Sequence, residues 1–414
     1  MGSLYDIAVI GAGAAGIGAG RRLAQAGVSF LLIDARGRIG GRAMTFAHEL
    51  GAMDLGCGWL HSADRNVLSP MAEAMGFELD RTPAPWQRQS GDHGISAEEQ
   101  QAFGRAFAAF EARVETEAER NAPVAASMYL ERGGRWNALI NAIFAYISGA
   151  SLDDIDARDY ARYQDTGVNW RVRQGYGTLI AACGADLPVR LNTEVRAIDY
   201  RGPVVRIGAT HGEIETRAAI VTLPTSKFGA LEFTPDLPDK RDAAAALPLG
   251  AAEKVYFQLA QPEEFPIEGH VFPRSDIMEM GAYHMRPMGY PLMEAYFGAA
   301  LAHRLAEAGV EAMAAYAKEE LAGLLGSAFP SRLKLLAASS WTTDSWALGS
   351  YSYAKPGGAE MRAVLASPIA NRLFFAGEAC SRASYSTAHG AYETGYEAAG
   401  QALAALGQRS MPTG

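Results

Sequence analysis

The sequence predicts an α/β fold in which a βαβ-type domain is interleaved with an α+β domain. Three observations lead there. Residues 5–34 run strand, glycine-rich turn, helix, strand; residues 188–222 and 252–260 hold short alternating segments of strand character; and helical periodicity returns at 301–325. A chain of 414 residues exceeds one simple core and suits two domains. No repeat or low-complexity linker separates them, so each is expected to be built from separated segments. The first takes 1–80, 175–235 and 335–410; the second takes 81–174 and 236–334.

The opening unit reads YDIAVI as an apolar strand, GAGAAG as the turn, IGAGRRLAQAG as a helix closing at Gly27, and SFLLID as a second strand. Gly11, Gly13 and Gly16 answer three needs: a tight turn, close approach of backbone to a pyrophosphate, and close packing of helix on strand. The helix N-terminus, with Ala14 and Ala15 in its first turn, turns unpaired N–H groups toward phosphate. Asp34 ends the second strand where a carboxylate accepts ribose hydroxyls. This is a Rossmann-like dinucleotide motif, and it does not separate NAD from FAD.

Composition excludes several classes. The net charge is −9 with no Lys/Arg-rich run, so nucleic acid is not an expected partner. No apolar stretch reaches the length of a membrane helix. Cys57, Cys183 and Cys380 are far apart and odd in number, so neither a disulfide framework nor a metal site is expected. The strand beginning at Tyr5 leaves no leader-like pattern before it, and a cytoplasmic location is the expectation.

Further along, residues 97–120 read as an amphipathic helix with Phe103, Phe107 and Phe110 on its packed face. In AEKVYFQLA, Val255, Phe257 and Leu259 share one face while Lys254, Tyr256 and Gln258 share the other. Alternation alone assigns that second face to solvent. TAHGAYETGYEAAGQALAAL reads as a helix with Thr387 as N-cap.

Three segments, GAGAAG, ARGRIGGR and LFFAGEACSRASYSTAHG, together resemble the cofactor-contacting segments of the flavin-containing amine oxidases, in the polyamine oxidase and lysine demethylase branch. The resemblance implies the amine oxidase fold: a Rossmann-like FAD-binding domain with an interleaved α+β substrate domain. Gly11, Gly13, Ala14, Ala15 and Gly16, with Asp34 and Ala35, then cradle the ADP half. Arg36 and Arg42 supply guanidinium donors, and Gly40 and Gly41 admit the cofactor. Gly377 and Glu378 match the family's FAGE turn near the ribityl chain. Val195 matches the position whose backbone touches adenine. Thr387 and Ala388 open the helix whose positive end faces the flavin N1–C2=O edge, where reduction deposits negative charge. Asp34 stands where these enzymes more often carry Glu.

The chemistry residues follow from the same resemblance. GAAEKVYFQ is similar to the segment whose lysine, here Lys254, holds a water against flavin N5. WTTDSWALGSYSYAKPG sets Trp341, Trp346 and Tyr351 around flavin and substrate. DLGCGWLH brings Gly58 and Trp59 to the cofactor and His61 to the substrate cavity. Ser350 replaces the flavin-bonding cysteine of monoamine oxidases, so FAD is expected to be non-covalent. Thr387 replaces the second tyrosine of their aromatic pair.

The implied reaction is hydride transfer from a small amine to FAD, with imine hydrolysis and oxygen reduction to peroxide. An amino-acid oxidase or desaturase is the alternative; the former requires an arginine to clamp a carboxylate, and Arg173, Arg274 and Arg286 are available. A non-catalytic flavoprotein is a third. Asp165 and Glu294 are available to anchor a distal ammonium. The sequence leaves open which amine is oxidised, the acceptor and the oligomeric state.

Overall fold

The computed structural model describes residues 4–84, 86 and 95–410. The chain separates into two compact units, one of Met1–Met44, Gly177–Pro248 and Glu360–Gly414, the other of Thr45–Tyr176 and Leu249–Ala359.

The first unit carries the expected Rossmann-like α/β fold. Tyr5–Ile10 is interior to its sheet because Ile7, Ala8 and Val9 have no exposed surface, and it pairs in parallel with Phe30–Ile33 on one side and Gly212–Val221 on the other. Gly212–Val221 is long enough to serve two ladders. Its first half turns back antiparallel on Val205–Ala209, and its second half runs parallel to both Tyr5–Ile10 and Leu373–Phe375. Val195–Asp199 and Glu232–Thr234 extend the sheet beyond Val205–Ala209, and Val189–Arg190 borders Phe30–Ile33.

Helix Ala14–Ala26 ends at Gly27 in the left-handed conformation, as the sequence indicates. It packs directly against the C-terminal helix Ala388–Ser410. A Cβ on Gly395 would lie 1.9 Å from the Ala15 carbonyl oxygen, and one on Gly18 would lie 2.2 Å from that of Tyr392. The two backbones touch because these positions carry no side chain. In the same unit the buried Lys240 ammonium reaches the carbonyls of Val364 (2.6 Å), Leu365 (2.9 Å) and Ser367 (2.5 Å), satisfying acceptors that end helix Met361–Ala366.

The second unit is built on an antiparallel sheet in the order Gly269–Val271, Ala282–Met285, Leu292–Gly298, Ala252–Leu259, Leu333–Ala338. Val255, Phe257, Leu259, Tyr283 and Phe297 pack on Leu301, Met313, Ala317 and Leu321 of helices Ala299–Ala308 and Val310–Leu325. That is the apolar face expected from alternation. The opposite face, assigned to solvent by alternation, is also covered: Lys254 and Tyr256 are buried. The reason is tertiary, since alternation identifies a polar face but not what lies over it.

Helix Ala97–Glu117 starts in a capping box between Ser96 and Glu99 and buries Phe103 and Phe110 against Trp136 and Phe144. Among the described residues no helix is long and apolar enough to cross a membrane.

Candidate functional site

In the first unit the glycine turn is shaped as a dinucleotide needs. Gly11 has φ +107°, and a Cβ on Gly16 would fall 1.9 Å from the Gly11 carbonyl oxygen, so helix and turn fit only without that side chain. Gly13 bridges to Gly40, and a Cβ on Gly41, at φ +58°, would come 3.1 Å from Gly13 Cα. The N-cap of the helix is Gly13 itself, which has no side chain to occupy the first-turn N–H groups around Ala14 and Ala15. The residues present therefore fit the pyrophosphate of FAD.

Asp34 stitches this turn together. Its Oδ2 accepts the Ala12 N–H at 2.7 Å and its Oδ1 accepts the Arg36 N–H at 2.8 Å across Ala35. Burial raises its pKa against these bonds, and each oxygen retains a lone pair for a ribose hydroxyl. The chain before Val195 runs alongside, with Thr193 N–H on the Asp34 carbonyl (2.8 Å) and Asn192 N–H on that of Arg36 (2.9 Å). Val195, the half-buried first residue of its strand, follows two residues after this contact with the end of the second strand.

Arg42 and Glu378, more than 300 residues apart in sequence, form a 3.0 Å ion pair. The second Glu378 oxygen accepts the Ser386 N–H at 3.1 Å. Gly377 has φ +144°, which only glycine holds without strain. Thr387 acts as the predicted cap: its hydroxyl accepts the Gly390 N–H (3.0 Å) and donates to the Ser384 carbonyl (2.6 Å). This gives Thr387 a capping role at the start of the helix opened by Ala388.

In the second unit, Lys254 is the hub. Its Nζ donates to the Asp54 carbonyl at 3.0 Å, lies 3.2 Å from Glu294 Oε1, and stands 5.6 Å from the centre of the Tyr296 ring. Gly58 passes so close that a Cβ there would be 3.2 Å from Nζ. Asp54 holds this loop in turn, accepting Thr45 Oγ1 (2.5 Å) and the Tyr176 N–H (3.0 Å). The other Glu294 oxygen meets Arg171 at 3.3 Å, and the Arg171 guanidinium lies over Trp59 at 4.2 Å. Beyond Arg171, His284 Nδ1 is at 3.2 Å, and its Nε2 is 2.7 Å from Glu268. Burial would raise the Glu294 pKa, but Lys254 and Arg171 hold it down at about 2, so it is a carboxylate at any working pH.

A second buried carboxylate sets the aromatic segment. Glu253 accepts the N–H groups of Trp341 (3.1 Å) and Thr342 (2.7 Å) and the Ser339 hydroxyl. Trp341 also donates its indole N–H to the Leu55 carbonyl at 2.6 Å. Trp346 is half-buried on the same turn, its N–H held by Asp344 at 2.9 Å. The Tyr351 hydroxyl meets that of Tyr296 at 2.8 Å and donates to the Tyr146 carbonyl. Ser350 gives its hydroxyl to the Gly250 carbonyl at 2.8 Å.

His61 is half-buried, with Nδ1 2.7 Å from Asn169 Oδ1, and burial lowers its pKa. It reaches Trp59 through Trp86, whose ring centre is 6.2 Å from His61 and 4.6 Å from Trp59.

Sequence reasoning missed Arg171, Glu253, Glu268 and His284, and it left Glu294 without a place. One signal was present: His270, His284, Glu294 and Tyr256 stand opposite one another in register across four strands. Register itself is invisible before the sheet is paired. The arginines considered for a carboxylate clamp are engaged elsewhere. Arg173 pairs with Glu78 and Asp80, Arg274 with Asp276, and Arg286 donates to the Phe265 carbonyl.

A family model described as flavin containing amine oxidoreductase matches residues 84–403, and one for an NAD(P)-binding Rossmann-like domain matches residues 9–74. The chain belongs to the flavin containing amine oxidoreductase family; it is an amine oxidoreductase whose cofactor is FAD. Among its relatives, polyamine oxidase 5 of Oryza sativa subsp. japonica is 27% identical over 95% of this chain and 87% of its own length. Polyamine oxidase 2 of Arabidopsis thaliana is 28% identical over 95% and 87%, and lysine-specific histone demethylase 1B of Mus musculus is 25% identical over 96% and 53%. In structure, wild-type putrescine oxidase bound to putrescine is similar at TM-score 0.80 and 18% identity, covering 97% of this chain and 99% of that one. At this identity the likeness is one of fold.

Proposed function

We propose that this enzyme oxidises a small amine, a polyamine or another primary or secondary amine, and passes the electrons to molecular oxygen with release of hydrogen peroxide. The observation that carries the reading is Lys254: a lysine on a sheet face that alternation assigns to solvent is instead buried, with its Nζ on the Asp54 carbonyl and beside Glu294. FAD, when bound, supplies an acceptor for the hydride lost from the carbon next to the amine nitrogen.

The rest is the work of side chains. The amine must be neutral so that its lone pair assists hydride loss. With Asn169 Oδ1 accepting from Nδ1–H of His61, Nε2 carries a lone pair, and the burial that lowers the pKa keeps the ring neutral, so that Nε2 accepts a hydrogen bond from the substrate amine. Tyr351 and Tyr296, hydroxyl to hydroxyl, present aromatic surface to the amine. Lys254 serves the oxygen half-reaction through its charge. The imine product is hydrolysed by water to an aldehyde and a smaller amine. Three cysteines outside any disulfide suit a reducing, cytoplasmic setting.

The test is anaerobic mixing of the purified holoenzyme with polyamines, monoamines and amino acids while following the flavin band at about 450 nm. Bleaching by amines, followed by peroxide when oxygen is readmitted, is expected; bleaching only by amino acids replaces this reading with that of an amino-acid oxidase.

A further inference from the structure

We infer that Glu294 is the positioning residue for Lys254, its carboxylate gripped from the far side by Arg171, and that it is not an anchor for the substrate's distal ammonium. This rests on the role given to Lys254 above.

The geometry begins with register. Glu294 stands opposite Tyr256, and Tyr296 opposite Lys254, so Glu294 is the diagonal neighbour of Lys254 on the same sheet face. A lysine side chain has four rotatable bonds and, unpaired, spreads over many rotamers. Here two acceptors on different elements fix Nζ: Glu294 Oε1 on the neighbouring strand and the carbonyl of Asp54, which ends strand Gly51–Asp54. The Tyr296 ring bounds a third side. Glu294 is itself held, because its other oxygen meets Arg171 at 3.3 Å, and Arg171 is trapped between the Trp59 ring and His284.

Both oxygens of Glu294 are thus committed to cations of the protein. A substrate ammonium would have to displace Lys254 or Arg171, each 7–8% exposed, from a buried carboxylate. The charges alternate along the row: Lys254, Glu294, Arg171, then Glu268 beyond His284. Neutralising Glu294 leaves two buried cations facing each other with no anion between them, and the lysine loses its fixed direction.

The experiment uses the holoenzyme and the variants Glu294→Gln, Glu294→Asp, Lys254→Met and the double variant Lys254→Met with Glu294→Gln. The first readout needs no substrate: the flavin is photoreduced anaerobically and its reoxidation is timed on mixing with oxygen. Lys254→Met is expected to slow reoxidation by about tenfold or more, Glu294→Gln by a similar factor, and the double variant no further than Lys254→Met alone. Glu294→Asp keeps the charge one methylene short and is expected to lose only about two- to fivefold, which also covers poor folding of the glutamine variant.

The second readout is independent of the flavin. Lysines are reductively methylated under mild conditions and mapped by peptide mass spectrometry. Labelling of Lys254 is expected to rise about fivefold or more in Glu294→Gln, while the buried Lys240 stays protected and certifies the fold. The third compares putrescine with n-butylamine. A fall in kcat for both, with KM changed by less than about threefold, is the expected signature of a positioning role.

Unchanged labelling of Lys254 overturns the inference, as does a KM increase confined to putrescine, which would make Glu294 the ammonium anchor. Wild-type reoxidation in Lys254→Met removes the oxygen role of the lysine instead, and the labelling result then still decides whether Glu294 holds it.

Discussion

Glu253 accepts the backbone N–H of Trp341 at 3.1 Å from a position with no exposed surface, 88 residues away in sequence. With the Thr342 N–H and the Ser339 hydroxyl also directed at it, this carboxylate is the cap of the segment that carries Trp341. Replacing Glu253 by Ala removes the acceptor shared by three donors and is expected to cost about 3–5 kcal/mol, whereas Gln retains one oxygen and costs less. Urea unfolding of the holoprotein measures both; equal stability of the alanine variant and wild type would refute the capping role.

The contact between Ala14–Ala26 and Ala388–Ser410 predicts opposite effects for two glycines on one helix. Gly395→Ala drives a methyl group into the Ala15 carbonyl and should lower both the melting temperature and the FAD retained after purification. At Gly400 a Cβ would meet nothing within 4 Å, so Gly400→Ala should stabilise the protein by roughly 0.5–1 kcal/mol. Paired melting curves and flavin-to-protein ratios separate the two.

Buried histidine predicts loss of stability in mild acid. Burial and the neighbouring His284 push the His270 pKa down to about 3, and burial lowers that of His61. A histidine depressed in the folded state binds its proton mainly when unfolded, so its contribution is complete above about pH 6.5 and shrinks as pH falls toward the folded value. Melting temperature should therefore drop by several degrees between about pH 6.5 and 4.5, above the range where Glu294 titrates. The variant His270→Gln is expected to flatten that slope; an unchanged slope assigns it to other groups.

The Ser350 hydroxyl, given to the Gly250 carbonyl at 2.8 Å, offers no thiol for a bond to the flavin. Acid precipitation of the holoenzyme is expected to leave all of the yellow colour in the supernatant. Flavin retained in the pellet would show a covalent attachment elsewhere.

Local physics made part of this molecule legible. The glycine turn, the left-handed stop at Gly27, the Thr387 cap and the apolar face of Val255, Phe257 and Leu259 are each decided by a residue and its near neighbours, and each is found as read. The resemblance carried by the three glycine-bearing segments led to FAD and to the family.

The βαβ dinucleotide motif could therefore be read from the chain alone, whereas alternation assigned Lys254 to solvent and only the resemblance singled it out. What surrounds that lysine is a product of the assembled fold. The pairing of Glu294 with Arg171 joins residues 123 apart, and that of Lys254 with Asp54 joins residues 200 apart. Periodicity within one strand assigns a side chain to a face; whether the face meets water or a buried carboxylate depends on strand register and on the segment that covers it, here the end of strand Gly51–Asp54. Those are set when the whole sheet and its covering segments assemble, because only then do the charges lose water and require partners.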